Sequence, residues 1–150
     1  MTKSVLVFLR KGNKVCLARK KTGHGEGKWN GFGGKIEDEE TSKQAAVREL
    51  FEESGVKITN KNLIKVAELY YIEESEWLVD VFVATEFDRA PSPSKEMEPR
   101  WFGLDHVPWE EMWFNDRLWL EKILNGKRIK ATFWHDKEGN LLKHKFTALK

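Results

Sequence analysis

Val5-Leu6-Val7-Phe8-Leu9 forms an apolar run, Lys11-Gly12-Asn13-Lys14 supplies a turn, and a second apolar run extends from Val15 to Ala18. Apolar runs joined by a short Gly-Asn turn predict a β-hairpin. Between Thr22 and Gly34 six glycines are interleaved with Trp29, Asn30 and Phe32. This predicts a shaped loop, because flexible linkers seldom carry large aromatics. Thr41-Ser42-Lys43-Gln44 has the reciprocal pattern of a capping box, and Ala46, Val47, Leu50 and Phe51 follow at helical spacing. Ser54-Gly55 offers a left-handed stop, so the helix is expected over Ser42–Ser54.

Further along, Leu63–Ile72 and Trp77–Phe87 are rich in β-branched and aromatic residues. They are expected to pair antiparallel across the polar Glu73–Glu76 segment. Ala90–Ser94 is a loop by its prolines, Arg100–Leu104 a short strand, and Val107–Asn125 a helix whose start Pro108 limits and whose end Gly126 sets. Ile129–His135 and Leu141–Leu149, joined by Lys137-Glu138-Gly139-Asn140, form a second expected hairpin.

Composition narrows the class. The chain has 150 residues, 40% hydrophobic and 33% charged, which suits one globular domain over 1–150 with no disordered tract. The run Val5–Leu9 is shorter than a signal-peptide core and leads into Arg10 and Lys11. A single cysteine, Cys16, excludes an internal disulfide and is compatible with the cytoplasm. The net charge of +2 demands neither a membrane nor a stable nucleic-acid partner. Its distribution is informative: acids crowd between Glu37 and Glu53, while basic residues dominate Lys11–Lys28 and Lys122–Lys150. The seven tryptophans are expected to lie mostly in the core.

On the expected helix, Glu49, Glu52 and Glu53 fall within an arc of roughly 100°, which we place opposite the apolar stripe. Each like-charged pair costs about 0.2–0.5 kcal/mol, and the site lies near the negative end of the helix dipole. A divalent cation would remove that cost; a solvated acidic face is the plain alternative, and spacing alone does not choose.

The longer pattern does choose. Gly34-x5-Glu40-x7-Arg48-Glu49-Leu50-x-Glu52-Glu53-x-Gly55-Val56 has nine set positions in 23 residues and resembles the signature box of the Nudix hydrolases. The resemblance implies an α/β fold, an α/β/α sandwich with a mixed sheet. It implies Mg²⁺, with Mn²⁺ as substitute, held by Glu49, Glu52, Glu53, the Gly33 carbonyl and Glu96, and either Glu53 or Glu52 as the base. Glu40 and Arg48 correspond to the pair that orients the helix. For Glu96, a plain surface acid in Lys95-Glu96-Met97-Glu98 remains the alternative.

Further segments, Lys20-Lys21-x-Gly23, Gly27–Lys35, Glu96–Phe102 and Met112–Asp116, resemble the family branch acting on oxidised purine nucleoside triphosphates. That likeness implies cleavage of substrates such as 8-oxo-dGTP to the monophosphate and pyrophosphate, sanitising the nucleotide pool. It implies substrate contacts from Lys20, Asn30, Phe32, Gly33, Gly34, Lys35, Trp113, Asn115 and Asp116. Asn30 would bond the base, Trp113 stack on it, and Asn115 and Asp116 read its edge; Trp113 as core is the alternative. Two departures bear on substrate ranking: Asn115 replaces an acid, and Val5 a hydroxyl residue.

The expected enzyme is a cytoplasmic monomer. Its rivals are a Nudix enzyme for another nucleoside diphosphate derivative, a non-catalytic nucleotide-binding module, and a nucleic-acid surface on the basic C-terminal hairpin.

Overall fold

A computed structural model describes residues 1–150. Its strands are β1 (Thr2–Lys11), β2 (Lys14–Lys20), β3 (Trp29–Asn30), β4 (Phe32–Lys35), β5 (Ile64–Ile72), β6 (Glu76–Ala84), β7 (Met97–Gly103), β8 (Ile129–His135) and β9 (Leu141–Ala148). Its α-helices are α1 (Ser42–Ser54) and α2 (Asp116–Leu124). All nine strands join one mixed sheet, ordered β3-β2-β1-β6-β5-β8-β9, with β4 added to β1 and β7 to β2. The pairs β1–β6 and β5–β8 are parallel and the others antiparallel.

Period-2 alternation distributes side chains to the two faces. Val5, Val7 and Leu9 of β1, with Cys16 and Ala18 of β2, pack with Ala45, Ala46 and Leu50 of α1. Phe8 of β1, with Val15 and Leu17 of β2, joins Trp119, Leu120, Ile123 and Leu124 of α2. The sheet is therefore sandwiched between its two helices, as the resemblance implies. No helix is long and apolar enough to cross a membrane.

Helix α1 has the expected bounds. Thr41 Oγ1 accepts from the Gln44 N–H at 3.1 Å, Gln44 Oε1 accepts from the Thr41 N–H at 2.8 Å, and Gly55 turns left-handed at φ 76°. Its faces differ from the expectation. Glu53 is buried beside Leu50, whereas Phe51 is 47% exposed under the Lys57 ammonium. The acids thus straddle the edge of the packed face, and Glu53 belongs to it.

The expected helix Val107–Asn125 is broken. A 3-10 turn at Trp109–Glu111 gives way to extended backbone at Met112 (φ −122°, ψ 169°), and α2 begins only at Asp116. Met112 is buried, anchoring the break in the core while Trp113 and Phe114 reach outward. The glycine-rich loop contributes β3 and β4, whose paired edges stabilise runs too short to signal themselves. The strand expected at Arg100–Leu104 starts earlier, at Met97, through pairing with Lys20. Only Trp29 and Trp119 of the seven tryptophans are buried.

Candidate active site

Strand β4 presses against β1 so closely that a Cβ on Gly33 would lie 1.9 Å from the Val5 carbonyl oxygen. At Gly34 a Cβ would lie 2.6 Å from Glu49 Oε1, so that glycine makes the room Glu49 occupies. The Gly33 N–H donates to Glu53 Oε1 at 2.8 Å. The end of α1 is therefore fixed on β4 by its acids.

Arg48 orders these acids. It grips Glu40 through Nε at 2.7 Å and a terminal nitrogen at 2.9 Å, and reaches Glu49 at 2.8 Å, Glu52 at 3.4 Å and the Lys35 carbonyl at 3.2 Å. The hydrogen bond from Arg48 holds Glu40 below the usual carboxylate range, and its partners hold Arg48 firmly charged. This two-pronged geometry is the strong form of the pair.

Glu49, Glu52, Glu53, Ser94, Lys95 and Glu96, none of them a hydrophobic residue, line a cleft of about 190 Å³. Burial pushes Glu53 up to about 8; the Gly33 N–H opposes the rise, while the charges of Glu49 and Glu96 add to it. Burial also raises Glu49. Lys20 is the cation whose field reaches Glu53. The acids do not converge as a closed set of three ligands around one point. Glu49 is turned to Arg48 and Glu53 to Gly33. A hydrated Mg²⁺ fits this arrangement, since it needs only one or two protein carboxylates and retains waters.

A second polar group surrounds the start of α2. Burial pushes Asp116 up to about 7, opposed by the Trp113 backbone N–H and the Lys28 charge. Asn115 Oδ1, Asp116 Oδ2, Trp119 Nε1 and His135 Nδ1 are all shielded without a hydrogen-bond partner in the protein. Unmet buried polar atoms cost about 1–3 kcal/mol each, so their gathering in one place calls for a ligand or water. Trp113 is 39% exposed, stacked on His24 at 5.1 Å and covered by Lys28 Nζ at 5.0 Å. It is not a core residue.

The two groups meet through backbone. The Lys20 N–H donates to the Lys28 carbonyl at 3.0 Å, joining the residue facing Glu53 to the residue over Trp113. Lys21, whose N–H donates to the Glu96 carbonyl at 2.8 Å, ties the Glu96 loop to the same strand end.

The other expected residues are dispersed. Asn30 Oδ1 accepts the Gly31 N–H at 2.8 Å, leaving its NH₂ to donate elsewhere. Phe32, expected against the substrate, is instead wholly buried in the α1-side core, because its strand position points there. Lys35 is exposed and serves the site through the carbonyl that Arg48 holds. His24, Lys28, Trp119 and His135 were not singled out; each sits far in sequence from at least one partner, and no local pattern marks them.

Comparison with known proteins agrees with this geometry. Residues 1–123 match the NUDIX domain. The oxidized purine nucleoside triphosphate hydrolase of Danio rerio is 40% identical over 93% of this chain and 90% of its own length, and that of Mus musculus 34% over the same shares. The crystal structure of a MutT protein from Bacillus halodurans superposes with TM-score 0.83 over 97% of both chains at 23% identity. With the family's box on the helix that closes the acidic cleft, this chain belongs to the NUDIX hydrolases.

Proposed function

We propose that this enzyme hydrolyses oxidised or otherwise modified purine nucleoside triphosphates, such as 8-oxo-dGTP, to the monophosphate and pyrophosphate, and so sanitises the nucleotide pool. The observation that carries the reading is the joining of an acidic cleft to a group of unmet polar atoms beside the half-exposed Trp113 ring through Lys20 and Lys28. The named activity of the two animal relatives supports it.

The reading assigns roles to this chain's residues. Glu49, Glu52, Glu53, Glu96 and the Gly33 carbonyl hold Mg²⁺, with Mn²⁺ as a substitute. When bound, the ion neutralises the polyphosphate and acidifies a water. Glu53 or Glu52 accepts the proton of the attacking water. Arg48 and Glu40 keep the glutamates in register. Lys20 faces the phosphates, and Gly34 keeps the cleft open. Trp113 stacks on the purine, an interaction worth about 1–3 kcal/mol. Asn30, Asn115 and Asp116 read its edge. Asp116 donates when protonated and accepts when ionised, whereas Asn115 carries both functions without titrating.

A monomer acting in the cytoplasm completes the reading, with all 150 residues as one domain. The pairing of β8 with β5 supports the last point, since it continues the same sheet past residue 123.

The test is a panel of modified and unmodified purine triphosphates, nucleoside diphosphate sugars and dinucleotides, assayed with and without Mg²⁺. Release of pyrophosphate from 8-oxo-purine triphosphates at the highest kcat/KM is expected. Faster cleavage of a sugar or dinucleotide derivative would overturn the substrate assignment, and absence of metal-dependent turnover the enzymatic one.

A further inference from the structure

Asparagine is among the best residues for capping a helix, and Asn115 stands at the N-cap of α2, yet its side chain makes no cap bond. It is used elsewhere: Asn115 Nδ2 lies 2.8 Å from His135 Nε2, across twenty residues of sequence. His135 ends β8, its side chain only 7% exposed. Its ring stacks on Tyr71, which itself stacks on Phe133. Its Nδ1 is shielded and unpartnered, with Glu73 Oε1 at 3.9 Å, beyond hydrogen-bond reach.

We propose that His135 is a specificity-determining positioning residue that fixes which end of the Asn115 amide faces the purine. The inference rests on the assignment of Asn115 to the base edge. An amide presents one acceptor and one donor end of nearly equal shape, so its neighbour chooses between them. With Nε2 unprotonated, His135 accepts from Asn115 Nδ2, as placed here, and Oδ1 is left to accept from the base. With Nε2 protonated, His135 donates; Oδ1 must turn to it, and the NH₂ is left to donate.

The first state suits a 6-amino purine and the second a 6-oxo purine. Around the ring stand Glu73 on the β5–β6 turn and Tyr71 on β5, with His144 of β9 packed against Phe133.

The experiment measures kcat and KM for 8-oxo-dATP and 8-oxo-dGTP in wild type, His135→Phe and His135→Gln. Phenylalanine keeps a ring on Tyr71 and removes the hydrogen bond; glutamine keeps a hydrogen bond.

His135→Phe is expected to shift the 6-amino to 6-oxo ratio of kcat/KM by roughly tenfold, mainly through KM. His135→Gln is expected to restore the ratio and KM toward wild type. Equal losses for both substrates, or a wild-type ratio in His135→Phe, would overturn the inference while leaving the proposed function intact. If His135→Phe does not fold, His135→Leu takes its place. Wild type cleaving neither substrate would instead overturn the proposed function, and this inference with it.

Discussion

Helix α1 nearly ends, and α2 begins, on a buried carboxyl group, Glu53 and Asp116, and burial raises both, to about 8 and about 7. Their surroundings differ in kind. Glu53 faces the like charges of Glu49 and Glu96 in a cleft lined by no hydrophobic residue, which on the proposed function suits a small, doubly charged cation. Asp116 lies near Asn115, Trp119 and His135, each with one shielded polar atom unmet, which on the proposed function suits a flat ligand with patterned donors and acceptors. On the proposed function, the contrast separates the two tasks of the enzyme: one buried acid serves the metal and the other the base.

The severest way to break the contrast is Glu53→Gln. Loss of roughly 10³-fold in kcat/KM is expected for every substrate, with their ranking unchanged. In metal-free protein the same change should raise stability by a few kcal/mol above pH 8, because a buried like-charged acid is removed. Urea unfolding with and without Mg²⁺ checks both parts: the ion should stabilise wild type and not the variant.

Gly34→Ala sharpens the same region. Its Cβ must push Glu49 aside, so a fall of about 10–100-fold in kcat/KM is expected with small change in Tm. Unchanged Mg²⁺ dependence and rate would show that Glu49 is not needed where it stands.

At the other carboxyl, Trp113→Ala should raise KM by about 5–100-fold for purine substrates while kcat changes little. A fall in kcat alone would break the division of tasks.

The smallest effect is one of pH. Folding raises the Asp116 pKa from 3.8 to about 7, so stability from this group is full below about 4 and drains away as pH rises through 7. Asp116→Asn should therefore flatten the loss of stability between pH 5 and 8, an effect of order 2–4 kcal/mol readable from Tm against pH. An unaltered pH profile would place the titration elsewhere.

The two regions also differed in how far the sequence revealed them. The Gly34–Val56 spacing lies on one loop and one helix, so periodicity and capping carried α1 to its observed ends. Even there, Glu53 was placed on the wrong side of the packed face, because its burial is set by β4 and not by helical period. The α2 region is assembled from residues 24, 28, 71, 113–116, 119 and 135, brought together by sheet register and by the break at Met112. The expected helix ran through that break because between Pro108 and Gly126 no proline or glycine marks a stop. The core-facing side chain of Phe32 was not legible because a strand of four residues gives too little alternation to show which way it points.

One consequence of the strand order concerns how this chain reaches its fold. Each residue of Thr2–Leu9 in β1 pairs with one about 75 positions later in β6, while the opposite edge of β1 is shared between β2 and β4. During synthesis β1 and β2 can pair at once, but the β6-facing edge of β1 stays open until Glu76–Ala84 emerge. A long apolar strand with a free edge is a template for the wrong partner, and long-range parallel pairing forms slowly. The strand that later supports both the glycines of the cleft and the core under α2 is thus the segment most in need of protection while the chain is being made.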